Sequence, residues 1–579
     1  IEGGMTSDMV AQRLAAILSR QQALPTEGQA RQRYLLDRSA GRASKLPKRT
    51  PNYCSGCPHN VSTLLAPGQV AWGAPGCHLF ASLMDNPQKR VEATTPLGGE
   101  GVPWLGLAPY TTRPHIVQNV GDGALFHSSY QNIRFAMTSG ANMTFKLLIN
   151  GVLANTGGQK AVGATQIADL AARLIQDGAQ RVVLVSKELA QYRRVALPQG
   201  LVRRGHEELE ASMTELAGIQ GVTILIYDGA CANERRRRQK RGLMPAPSTF
   251  TIVNEEVCEN CGDCGAKANC MSLQKVPTEF GPKTQIHQST CNQDQACIQG
   301  ECPSFVTVEV EPGQGVRKPT LPVIDAAELP AVETMAVNDP YHVYIPGLGG
   351  SGVLTASAIL AQAAAMQGLQ VKTYDQTGAA QKWGAVLSSL ILSAPERPSH
   401  TNKVGVGRAD LYLALDLLAA VDPANLRCCD TQRTRSVINA GVFPNAEVIR
   451  DSRKTLPADA LCEEVAQASR EDAVMTLDAK KIAEGLFGDF MMTNMVAIGA
   501  AYQAGWLPIH AQHIEAAIAL NGTQVQANTQ AFRAGRLWVH DPARVQALGR
   551  LQPGPLADRT EALRSSDTGR HLLTETGFD

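Results

Sequence analysis

Apolar and polar positions change their period several times along this chain, and the changes mark its parts. The opening "IEGGMTSDMVAQRLAAILSR" spaces its apolar residues for a short helix, and the basic stretch "RASKLPKRTPNYC" follows. From residue 51 to about 245, continuous apolar runs alternate with amphipathic stretches. "PHIVQNVGDGALF" predicts a strand entering a turn. "MTFKLLING", "RVVLVS" and "GVTILIYDG" predict buried strands, and "TQIADLAARLIQDGA" an amphipathic helix ending at Gly178. Strands that alternate with helices imply a parallel α/β sheet. The alternation returns at 340–535, where "YHVYIPGLGGSGVLTASAILAQAAAMQG" predicts strand, glycine-rich turn and helix. Between the two regions lie a cysteine-rich segment and a Pro/Gly-rich stretch, "EPGQGVRKPTLP". The expected divisions are 1–50, a helical lead-in; 51–248, a first α/β unit; 249–308, the cysteine-rich unit; 309–338, a linker; 339–535, a second α/β unit; and 536–579, a polar tail. No internal repeat is visible.

Composition narrows the class. The 579 residues are 44% hydrophobic and 18% charged with a net charge of +1, the profile of a globular protein with no field to steer it to nucleic acid or membrane. No run reaches the 18 apolar residues of a membrane span, and the start lacks the basic and apolar regions of a secretory signal. A cytoplasmic protein that binds neither nucleic acid nor membrane is expected. The chain starts at Ile1 rather than Met, as a fragment or processed piece of a longer protein would. "ERRRRQKRGLMPAP" packs six basic residues into eight positions, either as a solvated linker or as a docking patch for an acidic protein.

Fourteen cysteines stand in groups. Cys54 and Cys57 form a CxxC, Cys77 and Cys231 stand alone, and seven lie between Cys258 and Cys302. Cys428, Cys429 and Cys462 have no ligand spacing and read as structural. Reducing cytosol keeps thiols free, so a disulfide framework is not expected. Cys258-x2-Cys261-x2-Cys264 is a triplet that binds iron–sulfur clusters, although zinc also uses CxxC pairs.

The stretch from 120 to 159 carries the most chemistry. Gly121-Asp122-Gly123 follows a strand and precedes a helix, and the next strand ends at Asn150, with 26 residues between the GDG and that Asn. A carboxylate and an amide oxygen at neighbouring strand ends suit a hard cation such as Mg²⁺. The glycines let backbone N–H groups approach phosphates. An ordinary strand–turn–helix is the alternative. GDG with Asn at this distance resembles the thiamine diphosphate-binding motif, and the following "NTGGQ", Asn155 to Gln159, resembles its form in the 2-oxoacid:ferredoxin oxidoreductases. Together with "NYCSGCPHN", "PGCHLF", "GGEGVPWLG" and "DGACANERRRRQKRG", the chain resembles, over nearly its whole length, the long fused indolepyruvate ferredoxin oxidoreductases.

That resemblance implies a thiamine diphosphate-binding parallel-sheet domain, a small ferredoxin-like α+β insert and a second α/β domain of γ type. It implies Mg²⁺ held by Asp122, Asn150 and the Val152 carbonyl, with Gly121, Gly123, Thr156 and Gly157 around the diphosphate. It implies a proximal [4Fe–4S] cluster on Cys54, Cys57, Cys77 and Cys231, a grouping spacing alone does not give. In two-cluster ferredoxins the last cysteine of each half serves the other half. Cys258, Cys261, Cys264 and Cys302 would then hold one cluster, and Cys270, Cys291, Asp294 and Cys297 another. Asp294 at a thiolate position leaves two or three clusters open. His59 and His78 stand beside these cysteines for substrate, sulfur or structure. "PGLGGSGV" places Gly347, Gly349, Gly350 and Gly352 after a strand; with Asp375, 23 residues on, it invites a nucleotide reading. "DQTGAAQKWGAVLSSL" instead resembles the γ domain, which assigns Gly349 and Gly350 to coenzyme A.

The implied activity is oxidative decarboxylation of an aryl 2-oxoacid such as indolepyruvate, giving acyl-CoA and CO₂ and passing electrons to ferredoxin. Arg235 to Arg238 are the expected ferredoxin contact and a homodimer the expected assembly. Thiamine enzymes of this kind use a second, pyrimidine-binding domain, expected ahead of residue 1 or on a partner chain. The same chemistry on another 2-oxoacid, an electron-transfer half-enzyme and a zinc-bound scaffold are the alternatives.

Overall fold

The structure, a computed structural model, describes residues 7–21, 25–39, 46–84, 86–299, 302–311, 319–377 and 383–550. The tail beyond 550 and the 378–382 part of the γ-like motif lie outside the described residues.

The first sheet has seven strands: β1 (Ala71–Gly73), β2 (Val91–Thr94), β3 (Ile116–Gly121), β4 (Met143–Ile149), β5 (Arg181–Ser186), β6 (Leu201–Gly205) and β7 (Val222–Asp228). Their order is β2-β1-β3-β4-β7-β5-β6, and every pairing is parallel. Both faces are covered, as a parallel sheet requires. Ile116, Val120, Phe145, Leu147 and Ile224 pack with Trp72 and Trp104 on one side; Val117, Leu148, Val183 and Leu225 pack with Leu209 and Met213 on the other. The predicted strands are all present. β1, β2 and β6, of three to five residues, are too short to announce themselves by period. The helix Ile167–Gln176 stops before Gly178, whose φ of +107° suits only glycine.

The basic run is not a linker. Ala232–Lys240 is a helix that begins one residue after Cys231. The cysteine-rich unit that follows is α+β: β8 (Thr249–Val253) pairs with β11 (Phe305–Glu309), and β9 (Leu273–Thr278) with β10 (Gly281–Ile286), both antiparallel, around the helix Asp263–Ala268.

The second sheet is mixed. β12 (Tyr341–Leu348), β13 (Gln370–Gln376), β14 (Ala385–Ser393), β15 (Leu411–Ala414), β16 (Arg435–Asn439) and β17 (Val474–Leu477) run in the order β13-β14-β12-β15-β16-β17. The β13–β14 and β14–β12 pairs are antiparallel and the rest parallel. Its main core gathers Val343, Ile345, Leu360, Leu413, Val496 and Phe532. Gly499 and Gly535 let the helices Thr493–Gln503 and Val525–His540 touch backbone to backbone. The second helix therefore runs straight through 535, where a tail was expected to start, and Val545 beyond it is still buried. Part of the expected linker is also docked: Ile324 and Leu329 are buried in this same core. Arg49, from the lead-in, fastens the segment ahead of the first sheet to the second α/β unit. Its guanidinium makes two bonds to Asp416, at 2.6 and 3.1 Å, and donates to the carbonyls of Phe443 and Pro444. Among the described residues no helix is long and apolar enough to cross a membrane.

Candidate functional site

The C-terminal edge of the first sheet brings Asp122, Asn150 and Val152 together. Asp122 opens the helix that follows β3, and its carboxylate accepts from the Asn150 and Gly151 amides at 2.8–3.2 Å. The Asn150 side-chain oxygen accepts from the Val152 amide at 3.2 Å. Burial pushes the Asp122 carboxyl up to about 6, with Asp228 adding to it and the two amides opposing. A cation beside it would oppose burial in the same way. Two oxygen donors at adjacent strand ends are of the kind that suits Mg²⁺. A Cβ at Gly123 would meet the end of the Leu153 side chain at 2.8 Å. The helix also passes through a π-turn at Leu125–Ser129, a departure that often marks a functional segment. From the GGEG motif, buried Glu100 accepts from Ser129 at 2.5 Å and from the Gly98 amide at 2.8 Å.

The "NTGGQ" turn lies beside this edge. Thr156 bonds Gln159, and Gly157 and Gly158 take φ of +117° and +93°. Gly158 is pressed against Arg237 of the helix Ala232–Lys240. The Cys231 amide, just before that helix, donates to the Asn150 carbonyl at 3.2 Å. Cys231 is thereby placed against the strand end that carries Asn150, 81 positions away in sequence.

Around Cys57 the structure gathers the thiols of Cys54, Cys77 and Cys231. Burial pushes the Cys57 thiol well up, and all three neighbours add to the shift. The Asn233 amide donates to the Cys54 sulfur at 3.1 Å. The rings of His59 and His78 lie 6.3 Å apart, and a Cβ on Gly121 would stand 3.6 Å from the His78 ring. Burial lowers His59 to about 3 and His78 to about 4, so both are neutral.

The cysteine-rich unit forms two further groups, in the exchanged pattern of a two-cluster ferredoxin. Burial pushes Cys264 up to about 11, and the thiols that add to it are Cys258, Cys261 and Cys302. Burial raises Cys297 too, and its neighbours are Cys270, Asp294 and Cys291. The second group is bolted to the CxxC loop. Asp294 fills the space where a Cβ on Gly56 would be, at 2.9 Å, and Asn292 donates to the Ser55 carbonyl at 2.7 Å. Ser272 donates to the Ser55 hydroxyl at 2.6 Å. The first group lies outward, with Cys261 and Cys302 exposed. Among the described residues no three His, Cys, Asp or Glu side chains converge as on one metal ion.

Sequence reading missed a cavity of about 360 Å³ between the two sheets. Gly349 and Gly350 form one wall; Arg236, Arg237 and Lys240 form the other. Arg236 donates to the carbonyls of Ser289 and Cys291, Arg237 pairs with Glu234 at 2.8 Å, and Lys240 with Asp489 at 3.3 Å. This corrects the expectation of a docking patch along Arg235–Arg238. Arg236 and Arg237 line the cavity, Arg235 faces Glu188 at 3.7 Å, and Arg238 is the exposed member of the four. The physical reason is the helix, which sends neighbouring residues to different faces. Asp228, at the end of β7 and bonded by Tyr192 and Gln191, was also missed; its signal was a carboxylate at a strand end.

Comparison with known proteins follows the same division. Residues 342–538 match the family model described as pyruvate ferredoxin/flavodoxin oxidoreductase. The indolepyruvate oxidoreductase subunit IorB of Methanothermobacter thermautotrophicus is 25% identical over 197 residues, covering 34% of this chain and 95% of that subunit. The subunit IorA of Pyrococcus horikoshii is 24% identical over 250 residues, 39% of this chain and 36% of that subunit. Among solved structures, the γ subunit of a keto/oxoacid ferredoxin oxidoreductase from Geobacter sulfurreducens matches 34% of this chain and 98% of its own, with 20% identity and a TM-score of 0.25. One chain is thus similar to two separate subunits, and spans about a third of the length of the second. The likeness to indolepyruvate ferredoxin oxidoreductase read from the motifs is borne out.

Proposed function

We propose that this chain, whose residues 342–538 are a pyruvate ferredoxin/flavodoxin oxidoreductase domain, works in the oxidative decarboxylation of an aryl 2-oxoacid, with CoA as acyl acceptor and ferredoxin as electron acceptor. The observation that carries the reading is the contact between the Cys231 amide and the Asn150 carbonyl. It sets a group of four thiols against the edge that would hold a diphosphate and its metal.

In this reading Asp122, Asn150 and the Val152 carbonyl hold Mg²⁺, and Gly121, Gly123, Thr156 and Gly157 accommodate the diphosphate. Thiamine diphosphate, when bound, supplies the electron sink that lets CO₂ leave a 2-oxoacid. Electrons must then depart singly, which iron–sulfur clusters, when bound, would allow. Cys54, Cys57, Cys77 and Cys231 would hold the cluster nearest the diphosphate; Cys270, Cys291, Asp294 and Cys297 would hold the next, against the CxxC loop; Cys258, Cys261, Cys264 and Cys302 would hold the outward one, toward ferredoxin. Arg236, Arg237 and Lys240 offer positive charge, and Gly349 and Gly350 close backbone, to the diphosphate of CoA. A pyrimidine-binding domain completes the thiamine site from elsewhere, and the assembly is a homodimer.

The test is an anaerobic count of iron, sulfide and zinc per chain, followed by addition of indolepyruvate. About twelve irons with matching sulfide support three four-iron clusters, and about eight remove the cluster containing Asp294. Cluster bleaching on adding 2-oxoacid supports the enzyme; bleaching only after a pyrimidine-binding partner is added makes the chain a half-enzyme. Zinc without sulfide overturns the reading.

A further inference from the structure

Lys89 has no place in the motifs, yet it is among the most enclosed charges in the molecule. It ends the short turn Pro87–Lys89 before β2, and only 5% of it is exposed. Its ammonium lies 5.2 Å above the centre of the Tyr53 ring and 3.9 Å from the Met84 sulfur. Tyr53 immediately precedes Cys54; its hydroxyl bonds Thr63 and the His78 carbonyl, which locks the ring between Lys89 and the thiol group. Among the described residues Lys89 has no carboxylate ion-pair partner. The charged or titratable groups that bear on it are the Cys57 thiol and the Arg450 guanidinium, and it bears in turn on His59. Arg450 has the same sign, so the group that can set negative charge against Lys89 is the cysteine cluster. An enclosed cation without a counter-ion is strongly disfavoured. Four thiolates around an iron–sulfur cube carry net negative charge and gain one more on reduction.

We propose that Lys89 is the buried counter-charge of the site formed by Cys54, Cys57, Cys77 and Cys231, and that it sets the reduction potential of the cluster held there. The proposal rests on the reading of these four thiolates as a cluster site. Lys89 touches neither substrate nor iron; it is a positioning charge. An electron derived from the 2-oxoacid adds one negative charge to the cluster, and the ammonium stabilises that reduced form over the oxidised one. Removing the charge makes the cluster harder to reduce.

The experiment is a redox titration followed by electron paramagnetic resonance, on the anaerobic full chain, of wild type, Lys89→Met and Lys89→Arg. Lys89→Met should shift one cluster tenfold toward the oxidised form, about 59 mV for one electron, and leave the others in place. Lys89→Arg should keep most of the wild-type potential. Unchanged potentials in Lys89→Met at full iron content overturn the proposal, as does an equal shift in Lys89→Arg, which would indicate packing. Should Lys89→Met lose the iron of this site, retention by Lys89→Arg supports the counter-charge and loss by both overturns it. A wild type without iron or sulfide removes the cluster reading and this proposal together; a wild type with clusters indifferent to Lys89 removes this proposal alone.

Discussion

The chain uses strand, glycine turn and helix twice, with opposite electrostatics. At β3 the turn Gly121–Gly123 carries Asp122, with Asp228 at a nearby strand end, so the edge is acidic and asks for a metal before a phosphate can approach. At β12 the turn Gly347–Gly352 carries no carboxylate, and the helix Ala232–Lys240 faces it across a cavity with Arg236, Arg237 and Lys240. A phosphate there meets guanidinium directly. One helix serves both ends, because Arg237 also presses on Gly158 of the "NTGGQ" turn. The same backbone device thus stands in two opposite electrostatic settings, which its neighbours decide.

The largest expected effect is on the bond that holds the lead-in, just ahead of the first sheet, to the unit that carries the second turn. Arg49 and Asp416 are about 1% exposed at their side chains, and removing one partner strands the other. Arg49→Ala should lower stability by about 3–5 kcal/mol, seen as an earlier transition in urea. A loss below ~1 kcal/mol would deny that this pair anchors the lead-in to the second unit.

Next is the acidic turn. Asp122→Asn should weaken Mg²⁺-dependent thiamine diphosphate binding by about 100-fold or more in calorimetry, with CoA binding unchanged. Equal weakening of both ligands would show that the turns are not independent. The basic turn gives the converse. Arg236→Met should weaken CoA by roughly tenfold and leave thiamine diphosphate alone; unaltered CoA affinity would take CoA out of this cavity.

The glycines differ too. Gly350 sits at φ +86°, so Gly350→Ala should cost about 1–2 kcal/mol in backbone strain whatever the space around it. At Gly123 the obstacle is the end of the Leu153 side chain, which can move, so Gly123→Ala should cost less in thermal unfolding. The reverse order would mean that contact, not φ, limits these turns.

The smallest effect is on pH. Lys146, on β4 behind the acidic edge, donates to the carbonyls of Ser62 and Leu64, and burial lowers it from 10.5 to about 7. Between those values the unfolded chain holds a proton that the folded chain has released, so stability rises with pH. Lys146→Met should flatten that slope between about pH 7 and 10 in urea midpoints. An undiminished slope would place the titrating group elsewhere.

How much of this was legible follows from the range of each signal. "MTFKLLING" and "GVTILIYDG" read as strands because both faces of a parallel sheet are buried, which makes a continuous apolar run. The GDG-to-Asn150 spacing and the two ferredoxin-like halves are contained in short windows, so spacing carried them. Cys77 and Cys231 could be joined to Cys54 and Cys57 only by family likeness, since no local rule spans 177 residues from Cys54 to Cys231. The basic run was misjudged because a block of like charge suggests solvent, whereas its helix turned Arg236 and Arg237 to a cavity wall and left Arg238 outside.

By itself, then, the sequence determined the two α/β regions and which residues stand in each turn and cysteine group, because periodicity and spacing are properties of neighbouring residues. Only the tertiary structure decided which groups face one another. It seats Asp294 on Gly56, Cys231 on Asn150, the arginine helix across from Gly349 and Gly350, and Lys89 over Tyr53. These meetings arise from closing sheets and burying charges between elements far apart in the chain, and burial, unlike spacing, depends on every element at once.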